Sequence, residues 1–306
     1  MKNLKEKLES RGYVPREGDV LFLLSLLALP GVIRAGRITG PPGVGKTFLA
    51  EVFASVWEAK LVYLLLHKDT SFEDLFQTVN PAVVAALAGG VLKEKIEEAS
   101  PLGAVAQAVI LSQQQRVVLL LDEIDKAREH VDALLLDFLQ SGRVQLPLGY
   151  GGQKEFYARR ENLVVIVTDN QVRELSEPLL RRLAVRYEMD YLPRQVEAGI
   201  IQKKAMCGGN LAKGIARLLS EIRRLGFSSP SLQEGTNLAA VLVAGRREGF
   251  IRNAADVEFY IRSMLFKSED EIEAFNSRSR QTETGETRPD KTVTDWAGIL
   301  WGGLKQ

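Results

Sequence analysis

Two rhythms of apolar residues run along this chain. Unbroken runs come first to notice: Val117-Val118-Leu119-Leu120-Leu121 leads into Asp122-Glu123, and Leu163-Val164-Val165-Ile166-Val167 leads into Thr168-Asp169-Asn170. A short continuous apolar run with polar residues at its carboxyl end predicts a central parallel strand, covered on both faces. Lys60 to His67 reads as another buried strand and Val185 to Met189 as a further one. Val32-Ile33-Arg34-Ala35-Gly36-Arg37-Ile38-Thr39 is harder to place, because two arginines and a glycine interrupt what a buried strand keeps apolar.

The second rhythm is helical. Phe48 to Ala54 carries it, and Thr70-Ser71-Phe72-Glu73-Asp74-Leu75-Phe76 opens a helix with a hydroxyl cap followed by early acids. Between about Thr78 and Gln115 apolar helical stretches are broken at Pro81, Gly89-Gly90 and Pro101, which reads as helices inserted between core strands. Strands alternating with helices predict a doubly wound α/β core whose ligands sit beyond the carboxyl ends of the strands. From Pro193 to about Lys267 the period stays helical, as in Leu211 to Leu225 and Ala255 to Phe266, and predicts a second, all-helical unit. Residues 268 to about 295 are polar and read as a flexible or surface-wrapping tail. Trp296, Ile299, Leu300, Trp301 and Leu304 close the chain as an apolar cluster, either a docking peptide or a segment that packs back on its own chain. The expected division is therefore 1–192, 193–267 and 268–306.

Composition narrows the class. A chain of 306 residues, 45% hydrophobic and 26% charged, is long enough for a sizeable core and has ordinary globular composition. Forty basic against thirty-nine acidic residues leave a formal charge of +1, so no global field draws in nucleic acid or an anionic membrane. The single cysteine, Cys207, cannot form an internal disulfide, and the two histidines, His67 and His130, are scattered. The most hydrophobic stretch, Val20 to Ala28, is too short to span a bilayer and follows Arg16-Glu17-Gly18-Asp19 rather than a basic leader. A cytoplasmic protein is expected.

The chemistry concentrates around Gly40-Pro41-Pro42-Gly43-Val44-Gly45-Lys46-Thr47, a G-x-x-x-x-G-K-T loop whose backbone N–H groups can wrap nucleotide phosphates. Lys46 supplies a mobile positive charge and Thr47 a hydroxyl suited to Mg²⁺, while the helix entered at Phe48 turns its positive end toward the same phosphates. Asp122 is assigned to the metal and Glu123 to activation of a water. Taken alone, two acids after a strand are also ordinary turn residues. Asn170 can hydrogen-bond a γ-phosphate and the attacking water together, or simply cap the following helix. In Leu175-Ser176-Glu177-Pro178-Leu179-Leu180-Arg181-Arg182-Leu183, Arg182 first and Arg181 second can reach a neighbouring subunit's γ-phosphate, a contact worth roughly three to five orders of magnitude in rate. They can equally satisfy a helix carboxyl end.

With these motifs in this order, from about Arg11 to Leu265, the chain resembles the AAA+ ATPases. Asp132-Ala133-Leu134-Leu135-Leu136-Asp137-Phe138-Leu139-Gln140-Ser141-Gly142-Arg143-Val144 and Thr168-Asp169-Asn170-Gln171-Val172-Arg173-Glu174-Leu175 are similar to segments of the MoxR-like branch. The resemblance implies an AAA+ core with a five-stranded parallel sheet, a smaller helical lid, and ATP with Mg²⁺ bound between subunits of a ring, commonly hexameric. It implies that Tyr13 and Val14 lie against the adenine, and that Leu146-Pro147-Leu148-Gly149-Tyr150-Gly151-Gly152 belongs to a hairpin, which grips a partner or is an ordinary turn. It also marks a departure: Ser231 or Gln233 stands where family members often carry a lid arginine, unless Arg246 or Arg247 takes that role.

Three functions compete at this stage. The first is an ATP-hydrolysing ring that remodels a protein client, with a partner carrying a von Willebrand factor A domain suggested by the resemblance. The second is a nucleic-acid motor or loader, supported only by clusters such as Arg159-Arg160, Arg223-Arg224 and Arg246-Arg247. The third is a scaffold that assembles on ATP and scarcely hydrolyses it.

Overall fold

The computed structural model describes residues 2–30, 33–82, 85, 100–224, 226, 229–277, 279–281, 287–289 and 291–305. Contacts group the chain into two units, Met1–Gly40 with Gly45–Met189 and Pro41–Val44 with Asp190–Gln306. In the first unit, helices α1 (Lys2–Ser10) and α2 (Glu17–Ala28) precede strand β1 (Arg34–Thr39), helix α3 (Lys46–Val56) and strand β2 (Lys60–Leu65). Short helix α4 (Phe72–Leu75), helix α5 (Ala104–Ser112), strand β3 (Val117–Asp122) and helix α6 (Glu129–Ser141) follow. Hairpin strands β4 (Arg143–Tyr150) and β5 (Gln153–Tyr157), strand β6 (Leu163–Asp169), helix α7 (Glu177–Arg182) and strand β7 (Val185–Glu188) complete it.

Five of these strands form one parallel sheet in the order β2-β3-β6-β1-β7. Every residue of β3 and β6 is buried, as their unbroken apolar runs require of strands covered on both faces. The register sets Leu121 beside Val167 and Thr39 beside Asp169, so the chain leaves β1, β3 and β6 along one edge of the sheet. That edge carries the chemistry.

The interrupted segment is a strand after all, and it lies between β6 and β7. Gly36 is there because α2 packs flat against it: a Cβ would stand 2.7 Å from Leu26 Cδ2 and 2.9 Å from Phe22 Cε2. Arg37 is tolerated because its guanidinium pairs with the buried carboxylate of Asp169 on β6. The strand over Lys60–Leu65 departs from expectation in the other direction. It lies at the edge of the sheet with only β3 beside it among the described residues, and Tyr63 and Leu65 are 46% and 44% exposed. Its apolar run therefore marks a half-covered strand, not a buried one.

Of the stretch read as inserted helices, residues 83–84 and 86–99 lie outside the described residues. Its end is helix α5, whose start sits hard against the chain at Leu75 and Phe76, where a Cβ on Gly103 would come within 2.4 Å of backbone atoms. Buried Gln77 then fixes the hairpin: its amide donates to the Gly149 carbonyl at 3.0 Å and its oxygen accepts from the Leu148 N–H at 3.0 Å.

The second unit is helical: α8 (Arg194–Ala205), α9 (Gly209–Arg223), α10 (Leu232–Glu248), α11 (Ala254–Leu265), α12 (Glu269–Ser277) and α13 (Val293–Leu304), with a small antiparallel pair β8 (Ser279–Gln281) and β9 (Thr287–Pro289). Ile201, Ile215, Leu219, Leu242, Ile261 and Phe275 form its core. The segment read as a polar tail contributes to that core through α12, and the apolar cluster that follows it packs back through α13. Ile272 and Phe275 are buried on α12, and Trp296 and Leu300 on α13, where Leu300 packs into the space left by Gly214. Thr292 and Asp295 start α13 with a reciprocal cap.

Candidate active site

Lys46 opens α3 directly after Gly45, whose φ of 102° is a left-handed turn that favours glycine. The Lys46 side chain is buried, and its ammonium donates to the Gly40 carbonyl and to Asn170 Oδ1, both at 2.7 Å. Burial lowers the Lys46 pKa, opposed by the charges of Asp125, Asp122, Asp169 and Glu123. A buried ammonium held by neutral oxygens and ringed by carboxylates is suited to receive a polyanion. Gly40 has no room for a side chain: a Cβ would lie 2.0 Å from the Met189 carbonyl oxygen.

Asp122 ends β3 and is buried, with its carboxylate closely held. Thr47 Oγ1 donates to it at 3.0 Å, Tyr63 donates to Oδ2 at 3.2 Å, and the Thr168 hydroxyl donates to Oδ1. Burial first, and then the Asp122 charge, push the Tyr63 phenol up to about 12, so it stays a neutral donor. Glu123 follows with φ 58° and ψ 49°, a conformation that a non-glycine residue adopts only when its surroundings impose it. Its N–H donates to Thr168 Oγ1 at 2.9 Å. The Glu123 carboxylate accepts from Asn170 Nδ2 at 3.3 Å on one oxygen and from Lys126 at 2.6 Å on the other.

Lys46, Thr47, Asp122, Glu123 and Asn170, singled out from the sequence, thus meet at the ends of β1, β3 and β6. Asn170 stands in the middle, one face of its amide on Lys46 and the other on Glu123. Of the remaining loop residues, Pro41, Pro42, Gly43 and Val44 group with the second unit. Tyr13 is buried with its ring 5.6 Å from that of Phe48, one residue past Thr47, while Val14 is exposed. The Tyr13 hydroxyl is committed to buried Asp19 at 2.8 Å. Arg181 and Arg182 end α7 and bond other partners: Arg181 pairs with Glu177, and Arg182 donates to the Pro178 carbonyl and to Gln140. In the second unit Ser231 caps α10, Gln233 donates to Asn237, and Arg246 lies over the Trp301 ring at 5.2 Å.

Sequence reasoning passed over several residues that shape the site. Tyr63 and Thr168 both bond Asp122; Lys126 bonds Glu123; buried Asp125 accepts the Val172 N–H at 3.0 Å. Half-buried Arg173 pairs with buried Asp132 behind the two loops, and the hydrogen bonds it donates to the Asp132 carboxylate raise its pKa. The clue for Asp125 was its spacing: it sits three residues past Asp122, inside the tight turn that follows the strand.

The donor set fits magnesium triphosphate. Thr47 Oγ1 and the Asp122 carboxylate are hard oxygen donors side by side, and Mg²⁺ characteristically takes one or two such protein oxygens and completes its shell with phosphate and water. Among the described residues, no helix is long and apolar enough to cross a membrane.

Residues 38–183 match the family model described as AAA domain (dynein-related subfamily). No curated protein matches the chain. Among solved structures, a point variant of RuvB from Thermotoga maritima is 19% identical over 86% of this chain and 69% of that one, with a TM-score of 0.46. Domain III of the Thermotoga maritima replication initiation protein DnaA is 15% identical over 86% of this chain and 98% of that one, with a TM-score of 0.48. The five-stranded parallel sheet and the loop between β1 and α3 give the first unit a P-loop α/β fold, and the match over residues 38–183 supports a relationship to the AAA+ ATPase superfamily.

Proposed function

We propose that this protein binds ATP with Mg²⁺ at the β1–α3 loop and hydrolyses it, working as a ring of identical subunits that remodels or activates a protein client in the cytoplasm. The observation that carries the reading is the placement of Asn170 between Lys46 and Glu123. One amide touches both the cation that would meet the β- and γ-phosphates and the carboxylate that would meet the attacking water. Thr47 and Asp122 would hold the metal, which when bound supplies positive charge to the phosphate oxygens. Lys46 gives up its bond to Asn170 for a phosphate oxygen, and the freed amide turns toward the γ-phosphate and the water. Glu123, presented by its left-handed turn, takes the water's proton on a carboxylate oxygen as the water oxygen attacks the γ-phosphorus in line and the bond to the β–γ bridging oxygen breaks, ADP leaving with that electron pair.

Arg182, with Arg181 second, would complete the site of the adjacent subunit. This ring reading draws on the resemblance to the MoxR-like branch and on the position of both arginines at the end of α7. The client, with a von Willebrand factor A domain as the favoured partner type, rests on that resemblance alone. A scaffold that assembles on ATP with little turnover draws on one observation in the second unit: of Ser231 and Gln233, either of which would stand in the place of a lid arginine, the first is spent as a helix cap and the second bonds Asn237.

Turnover by wild type, Glu123→Gln and Arg182→Ala decides between these readings. Hydrolysing wild type, with Glu123→Gln inactive yet able to bind ATP and retain a client, supports the remodeller. Assembly supported equally by ATP and a non-hydrolysable analogue, with negligible turnover, favours the scaffold.

A further inference from the structure

Behind Glu123 and Asn170 lies an ion pair that the reaction does not touch. Asp132, on α6, is 1% exposed, and Arg173, just past the end of β6, is 20% exposed. The pair is a fork: Nη2 donates to Oδ1 at 2.8 Å and Nη1 to Oδ2 at 3.1 Å. Arg173 Nη2 also donates to the Ile124 carbonyl at 3.2 Å, the residue immediately after Glu123. One residue before Arg173, the Val172 N–H is held by Asp125. Beyond the bond between Asn170 and Glu123, the loops that carry them are thus tied together at two more points.

The same carboxylate reaches a third element. Asp132 Oδ2 accepts the N–H of Ser176 at 2.8 Å, and Ser176 immediately precedes α7, the helix that ends in Arg181 and Arg182. At its other end α7 returns to α6, because Arg182 donates to Gln140. Helix α6 therefore grips α7 at both ends; the chain itself runs from the Glu123 turn into α6, and Arg173 adds a side-chain link between that grip and the backbone behind Glu123.

We propose that Arg173 and Asp132 are positioning residues forming a relay, which carries a displacement of the Glu123 turn on phosphate binding to the helix that presents Arg181 and Arg182. The relay rests on the ATP-site reading above and deepens it: each subunit's nucleotide state would set the arginines offered to its neighbour. A forked ion pair suits this task, because burial and two parallel bonds leave it a single geometry, whereas an exposed pair would slide. A pair that merely stabilised the fold would affect melting alone.

The test is hydrogen exchange of the full chain with and without ATP and Mg²⁺, read at residues 123–127 and 176–182, alongside turnover and ATP affinity. In the wild type both segments are expected to slow their exchange. In Arg173→Gln the first segment still responds and the second does not; kcat falls roughly 10- to 100-fold while the ATP Kd stays within about twofold. Arg173→Lys keeps the charge but not the planar fork, and it gives the same split should the glutamine variant be too unstable to handle. Asp132→Asn added to Arg173→Gln costs no further turnover, since both act through one link. An unchanged response at 176–182 in either Arg173 variant overturns the relay, as does a wild type that hydrolyses ATP with no response there. A wild type that responds at both segments without turnover removes the hydrolysis reading and leaves the relay standing; one that binds no nucleotide overturns both.

Discussion

Lys46 and Asn170 share a hydrogen bond of 2.7 Å, ammonium to amide oxygen, although they are 124 residues apart in the chain. The bond makes Asn170 a gauge of what occupies Lys46. On the proposed reading, Asn170→Ala leaves the phosphate contacts of Lys46 in place but removes the group that would orient water against Glu123. The expected outcome is a kcat loss of roughly 10²- to 10³-fold with ATP affinity nearly retained, read from steady-state turnover beside a binding titration. Loss of binding with unchanged turnover of the bound fraction would contradict the assignment.

Arg37 and Asp169 make a different kind of pair, across the centre of the sheet. Asp169 is fully buried, so removing its partner strands a carboxylate. Arg37→Met is expected to destabilise the fold by about 3–5 kcal/mol, with Arg37→Met/Asp169→Asn recovering much of that loss. Denaturant unfolding of the two variants checks it.

This pair also explains what could and could not be read in the sequence. β3 and β6 were legible because a strand covered on both faces needs only apolar residues, and Val117–Leu121 and Leu163–Val167 contain nothing else. β1 was not, because the partners that make Arg37 and Gly36 tolerable are Asp169, Phe22 and Leu26, far from them in the chain. The run Leu61–Leu66 suggested burial, yet hydrophobicity alone cannot tell an edge strand from a central one. Around the site, Lys46, Thr47, Asp122 and Glu123 announce themselves by local spacing. Asp132 and Arg173 do not, since a charged residue 41 positions from its partner looks like any solvated side chain. In the closing segment the polar stretch hid the apolar face of α12, whereas the cluster on α13 was legible and packs back on its own chain, one of its two readings.

Near the amino terminus, Asp19 accepts the Tyr13 and Tyr187 hydroxyls, each at 2.8 Å, and is itself fully buried. Burial first, and then the Asp19 charge, raise both phenols above their ordinary pKa of 10.0. A pKa raised by folding means that the folded state holds its proton longer than the unfolded chain does. The stabilisation is therefore complete below pH 10 and is lost as the pH rises above it. Tyr187→Phe should flatten the decline of stability above pH 10, measured by urea unfolding across pH 8 to about 11. An equally steep decline in the variant would contradict it.

Gly40 tests the loop without touching a charge. Its φ of 142° and the Met189 carbonyl oxygen 2.0 Å from a Cβ both exclude a side chain. Gly40→Ala must displace the start of the loop, and with it the carbonyl that Lys46 holds. Nucleotide affinity is expected to fall at least 10-fold, with destabilisation of about 1–3 kcal/mol. Calorimetric binding and melting together check this outcome.

The central claim is that Lys46 and Thr47 hold a triphosphate whose hydrolysis Glu123 performs. Titrating ATP with Mg²⁺ into wild type, Lys46→Ala and Glu123→Gln, and following phosphate release in the same samples, tests it most directly. The account predicts tight binding and release for wild type, no binding for Lys46→Ala, and binding with release reduced at least 100-fold for Glu123→Gln. Binding that survives Lys46→Ala, or release that survives Glu123→Gln, would contradict it.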